Sequence, residues 1–283
     1  MTAKTKQKIK TRLLIAGRIA ILALFLLGVI LPIYWLFITS LKRPPDINTL
    51  QIQYWPQNPT AENYARVWNN TPFPRYVKNS LIVSVVSAFI VLLIAVPGGY
   101  ALARYAFRLK KASMTAFLIS QMIPVTLLLI PLFLMLNSVR LGDTLTSLIV
   151  LYVVFNTPFC VMTMQGFFMN IPSSIEEAAA IDGCNKFQMM VRIVLPVMLP
   201  AIISVFIFAF IGAWNEFLGG VMFINSELNK TIPVGLSAYV GQFAINWGEM
   251  TAGGMLAIIP TVILFAFAQR YIVAGLTAGA EKG

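Results

Sequence analysis

Charge is nearly absent from six long stretches of this chain, at about Ile19–Ser40, Asn79–Tyr100, Met114–Leu136, Leu145–Gln165, Val197–Ile224 and Thr251–Ile272. Each is about twenty residues long, which as a helix matches the roughly 30 Å hydrocarbon core of a bilayer. Hydrocarbon offers no partner to a bare peptide group, so such a run must satisfy its own backbone as a helix. With 58% hydrophobic and 11% charged residues, the chain is too apolar for a soluble domain of its size. The expected fold is an all-α integral membrane protein with six transmembrane helices.

The cations assign the sides. Lys4, Lys6, Lys8, Lys10 and Arg12 precede the first run without an acid, and Arg104, Arg108, Lys110 and Lys111 fill the turn after the second. Excess Lys and Arg mark cytoplasmic segments. The net charge of +11 is therefore read as topology, with no nucleic-acid partner. The first apolar run is too long for a secretory signal and lacks its small-residue cleavage site, so it reads as an uncleaved span. Lys42, Arg43, Arg66, Arg75 and Lys78 on the opposite side weaken the bias. Between them Tyr54, Trp55, Tyr64, Trp68, Phe73 and Tyr76 read as an interfacial aromatic belt more readily than as a ligand surface. Counting crossings gives a cytoplasmic tail at 1–18, one six-span domain at 19–272 with a cytoplasmic loop at about 166–196, and a cytoplasmic tail at 273–283. Within that last tail, composition makes Gly275–Gly283 disordered. Cys160 and Cys184 are too far apart for a CxxC motif and read as small apolar fillers.

The long polar interruption, Ile171–Pro200, carries the most local information. Pro172 and Ser173 open a helix, and Ser173 with Glu176, or Ser174 with Glu177, has capping-box spacing. Alanines continue the helix until Gly183, whose lack of a β-carbon suits a left-handed stop. Asn185 caps a second short helix with Phe187, Met190, Val191 and Val194 on its apolar face, and Pro196 and Pro200 lead into the next span.

Glu177-Ala178-Ala179, then Gly183 after three residues, Ile193 after nine more and Leu195-Pro196 resemble the EAA loop of permeases in ATP-binding-cassette importers. Asp182 before the glycine is similar to the carbohydrate-import, maltose-type branch. The resemblance implies that the loop is a coupling helix seated in a cytoplasmic ATPase subunit, with Glu177, Ala178, Ala179, Asp182 and Gly183 in the docking role. It also implies a second homologous permease subunit, two ATPase subunits and an extracytoplasmic sugar-binding protein. The setting it implies is a bacterial or archaeal cytoplasmic (inner) membrane with both termini cytoplasmic. A Trp214-Asn215-Glu216-Phe217 segment and the final GLTAGAEKG resemble the same family, whose C-terminal tail reaches the ATPase dimer interface.

No GxxxxGK[ST] phosphate cradle is present, so no cofactor is expected on this chain itself; the resemblance puts ATP and Mg on the partner ATPase subunits. Without histidine, Ser-His and Cys-His catalysis and the commonest metal ligand are excluded, so neither a catalytic residue nor a metal is expected. The spans offer few groups able to hydrogen-bond a sugar, which leaves Gln121, Asn156, Asn215 and Glu216 as candidate pathway residues. Glu216 is the one acid within an apolar run. A gate residue and a structural hydrogen bond explain it equally well. The alternative function, an ion-coupled secondary carrier, would normally use several intramembrane ionisable groups and repeated halves. A scaffold that only binds a peripheral partner is the third reading.

Overall fold

The computed structural model describes residues 3–241 and 245–280, with side chains over 13–241 and 245–269. Apolar residues and internal prolines coexist in the long helices because neighbouring groups can take up the freed carbonyls. Thus α1 (Ala3–Ser40) passes through Pro32, followed by α2 (Pro44–Ile47) and α3 (Glu62–Asn70). Next come α4 (Phe73–Arg104), α5 (Lys110–Met122), α6 (Val125–Ser138) and α7 (Leu145–Met169). The polar loop holds α8 (Ser173–Ile181), α9 (Lys186–Met189), one π-helical turn at Met190–Val194, and α10 (Leu195–Val197). After it come α11 (Leu199–Trp214), α12 (Leu218–Phe223), a 3-10 turn at Glu227–Asn229, α13 (Ile232–Ser237) and α14 (Trp247–Ala280).

Among the described residues, four helices are long and apolar enough to cross a membrane: α1 from Leu13, α4, α7, and α14 as far as Gln269. The expected third span is broken: α5 and α6 meet at 101° around Ile123 and Pro124. Lys186–Val197 and α11 meet at 77°, and six spans result when each bent pair counts as one. The expected fifth span is interrupted again at Asn215–Phe217, before α12. The C-terminal segment expected to be disordered is helical to Ala280, and its last residues, 281–283, lie outside the described residues.

One compact unit comprises Met1–Thr71 and Tyr239–Leu256. Asn63 organises it from α3, donating through Nδ2 to the carbonyls of Ser40 and Lys42 at 2.8 Å each. This satisfies carbonyls freed where α1 ends. In this unit Tyr54, Trp55 and Trp68 are exposed, as a belt requires.

The second unit comprises Pro72–Ala238 and Ala257–Gly283. Phe73 and Tyr76 are buried in it, so they belong to the core and not to the belt. The polar residues at the start of α4 serve backbone groups of the 228–232 segment. Asn79 Nδ2 donates to the carbonyls of Leu228 and Lys230 at 2.9 Å, and Ser80 Oγ accepts from the Ile232 amide at 2.8 Å. Val83, Leu148, Leu151, Tyr152 and Phe223 form a continuous apolar cluster between α4, α7 and α12. At the other end of α4, Gly99 meets α7 so closely that a Cβ would lie 2.6 Å from Met164 Cβ and 2.8 Å from the Gln165 nitrogen.

The turn before α7 is pinned by Asp143, which sits in the left-handed region at φ 54°. Its carboxylate accepts from the amides of Asn225 and Ser226 at 2.9 Å each and from the Ser226 hydroxyl. Burial opposes the charge, but those Ser226 and Asn225 donors hold the carboxyl below its ordinary value. A depressed carboxyl contributes stability above its unfolded pKa of about 3.9 and loses it as pH falls through the folded value. Thermal unfolding of Asp143→Asn should therefore show a smaller loss of stability below about pH 4 than the parent. At Gly99 the obstacle is backbone. Gly99→Ala should cost about 1–3 kcal/mol of stability in detergent, whereas Gly166→Ala, with nothing within 4 Å, should change little.

Candidate functional site

In the polar loop, α8 begins at Ser173 with Pro172 at the N-cap and no side-chain cap. The expected capping box with Glu176 or Glu177 is therefore not formed. Glu176 in the first turn still complements the positive end of the helix dipole. At the other end, the Gly183 amide donates to Ala180 O at 3.1 Å and the Cys184 amide to Ala179 O at 3.0 Å. This paired closure, with Gly183 at φ +80°, is a Schellman stop, the left-handed turn that glycine takes without strain. Asn185 then makes a complete capping box with Gln188: Gln188 N to Asn185 Oδ1 at 2.9 Å, and Asn185 N to Gln188 Oε1 at 3.1 Å. Two helices are thus closed and reopened within four residues, leaving little slack.

The loop is braced against the C-terminal end of α4. Arg104 Nε donates to Glu176 Oε1 at 2.6 Å, Tyr100 Oη donates to Glu176 Oε2 at 3.0 Å, and Arg104 Nη2 donates to Ile171 O at 2.8 Å. The Arg104 and Glu176 side chains keep only 17% and 13% of their exposure, so solvent screening is weak. Hydrogen bonds to charged groups in such shelter contribute about 1.5–3 kcal/mol each. Tyr100 also packs edge-on to Phe168 of α7 at 5.4 Å, and the Lys186 ammonium of α9 lies over the Tyr105 ring at 5.2 Å. Both halves of the loop are thus tied to the same helix end.

The residues of the motif face outward from this brace. Glu177, Ala178, Asp182 and Gly183 are exposed and Ala179 is buried. Ile181 is 87% exposed and Phe187 76%, while Val194 is buried, so Phe187 leaves the apolar face that the spacing assigned to it. The turn is thus exposed, with apolar tips on a fixed base.

Of the four candidate pathway residues, Asn156, Asn215 and Glu216 lie where α7 meets the end of α11, and Gln121 shares no hydrogen bond with them. Gln121 lies at the exposed end of α5, its Nε2 donating to Phe117 O at 3.3 Å. Asn156 Nδ2 donates to Tyr152 O at 2.8 Å within α7. Glu216 sits in the break between α11 and α12 with both oxygens engaged. The Gly219 amide donates to Oε1 at 2.8 Å, while the Gly220 amide and Tyr152 Oη donate to Oε2 at 3.1 and 2.8 Å. Asn215 is exposed and lines a cavity of about 360 Å³ with Trp214, Pro233, Leu236 and Thr261. Sequence reasoning missed the brace. Arg104 counted only as a topology charge, Glu176 only as a cap, and nothing distinguished Tyr100, Tyr152 or Lys186 from their neighbours.

A multi-pass helical membrane protein with a braced, outward-facing loop defines the class. The chain belongs to the family described as binding-protein-dependent transport system inner membrane component, which it matches over residues 95–278. It is 36% identical over 258 residues to the diacetylchitobiose uptake system permease protein DasC of Streptomyces coelicolor, covering 91% of this chain and 93% of that protein. Over 284 residues it is 32% identical to the trehalose/maltose transport system permease protein MalG of Thermococcus litoralis, covering 98% and 99%. A chain in the crystal structure of a bacterial ABC transporter involved in the import of the acidic polysaccharide alginate shares the fold. Its TM-score is 0.81 at 21% identity, covering 93% of this chain and 98% of that one.

Because Glu216 holds three donors, Glu216→Ala should lower the thermal stability of the purified protein by about 1–3 kcal/mol. Glu216→Gln, which keeps one acceptor oxygen, should lose less.

Proposed function

We propose that the chain is one permease subunit of an ATP-driven importer for a carbohydrate, specifically an oligosaccharide, working by alternating access. The observation that carries this reading is the loop that presents Glu177, Ala178, Asp182 and Gly183 outward, with Ala179 buried beneath them, while Glu176 is locked to Arg104. The relatives named for uptake of diacetylchitobiose and of trehalose and maltose support the substrate class. In this reading the loop seats in a cytoplasmic ATPase subunit, one of a pair that holds ATP and Mg. A second permease subunit completes the pathway, and an extracytoplasmic sugar-binding protein delivers the cargo. Both termini are cytoplasmic in a bacterial or archaeal inner membrane. Closure of the ATPase pair pushes the loop as a rigid lever, and the brace carries that displacement into α4 and α7.

Asn215 is the pathway candidate we favour, since it faces a cavity beside an indole and a hydroxyl, Trp214 and Thr261. Glu216 sets the helix break that presents Asn215, Asn156 supports that frame from α7, and Gln121 contributes only where α5 bends. A carrier driven by ion flow finds little support in a carboxylate already bonded to three protein donors.

Reversing either charge of the brace tests the lever. Glu176→Arg or Arg104→Glu should lower uptake and sugar-stimulated ATP hydrolysis by about tenfold, and the double reversal should restore a substantial part. Gly183→Pro fixes φ near −65° where +80° is needed and should abolish both activities with membrane insertion intact. Normal transport by these variants would remove the docking role.

A further inference from the structure

Lys42 follows the C-terminal end of α1 and is only 4% exposed. Its ammonium donates to the Gln53 carbonyl at 2.8 Å and lies 4.9 Å from the centre of the Trp35 ring. Among the described residues no carboxylate comes within ion-pair distance of it. Burial pulls this ammonium below its usual pKa, and Asp46 opposes the shift from a distance. A sheltered cation with no anion in direct contact is costly, by several kcal/mol where burial is complete.

The same ammonium borders a cavity of about 350 Å³, lined also by Trp35, Thr39, Asn48, Trp247 and Thr251. Thr39 and Thr251 are buried and Asn48 is exposed at the rim. The Thr251 hydroxyl already donates to Trp247 O at 2.6 Å, so its lone pairs, and not its proton, face further partners. Two of the three ammonium protons have no hydrogen bond to a described residue. Leading up to this cavity, α1 exposes Leu24, Phe25, Leu27, Ile30 and Leu31. A charged recess at the end of a lipid-length apolar helix, flanked by two indoles, has the layering of the bilayer interface.

We propose that this recess binds the phosphodiester of an anionic phospholipid, with its acyl chains along α1. In the orientation given under the proposed function the lipid belongs to the outer leaflet. The phosphate supplies the direct counter-ion that Asp46, beyond ion-pair distance, does not, and the indoles pack against the glycerol backbone. Phosphatidylglycerol fits, because a choline head would bring a second cation toward Lys42.

The test uses the assembled transporter, purified in mild detergent and stripped of lipid, then titrated with phosphatidylglycerol, phosphatidylcholine or inorganic phosphate. Native mass spectrometry reads retained lipid and thermal unfolding reads protection. Phosphatidylglycerol should be retained in preference to phosphatidylcholine. Lys42→Met should weaken its retention about fivefold, the factor for one basic contact at a membrane surface. Asn48→Glu, a rim change that leaves the buried lysine in place, should weaken it similarly and decides the matter if Lys42→Met does not assemble. Arg43→Met, at an exposed neighbour, should leave retention unchanged. Undiminished retention in Asn48→Glu and Lys42→Met would overturn the site. Equal protection by inorganic phosphate would assign it to a soluble anion and overturn the lipid.

Discussion

Glu176 and Arg104, 2.6 Å apart and sheltered from water, fix the base of an otherwise exposed loop. Without them α8 would lose its side-chain tie to α4. With Tyr100 as second donor and Ile171 O as a second acceptor, the contact has direction as well as strength. The effect continues along α4, since Gly99 brings that helix against the backbone of α7 at a separation that admits no side chain. In the proposed lever, a displacement at Ile181 would reach two packed spans as one movement. Packed helices slide or rotate between discrete arrangements more readily than they compress.

A second constraint operates where helices break inside the apolar region. A break exposes amides or carbonyls that lipid cannot satisfy, and polar side chains answer at two of the irregular segments. Glu216 collects the amides of Gly219 and Gly220 with the Tyr152 hydroxyl, and Asn79 and Ser80 serve the segment around Leu228–Ile232. The polar residues that mark these spans in the sequence are thus largely occupied with backbone. Asn215 differs in facing a cavity, which is why the pathway reading rests on it.

The long helices were legible because hydrocarbon admits so few solutions, and Gly183 was legible because a left-handed stop after an alanine run leaves few alternatives. The breaks at Pro124 and Asn215 were not, since a hydropathy window averages across them and proline alone does not decide between a kink and a stop. The brace was hidden for a geometric reason. Glu176 and Glu177 differ by about 100° around the helix, and which of them meets α4 depends on a rotation set by tertiary packing. Phe73 and Tyr76 show the same limit: as aromatics near an interface they suggest a belt, yet both are core. The similarity of the chain to permeases along nearly its whole length adds the family, which periodicity alone could not supply.

The rigidity of the loop on α4 can be measured directly with spin labels at Ser174 on α8, outside the docking motif, and Leu93 on an exposed face of α4. Distances would be recorded in the assembled transporter with and without ATP. A single distribution that keeps its mean through the nucleotide cycle, while turnover proceeds, is the expected result. A shift of several ångströms between the two states would show the loop moving independently of the helix and contradict the lever.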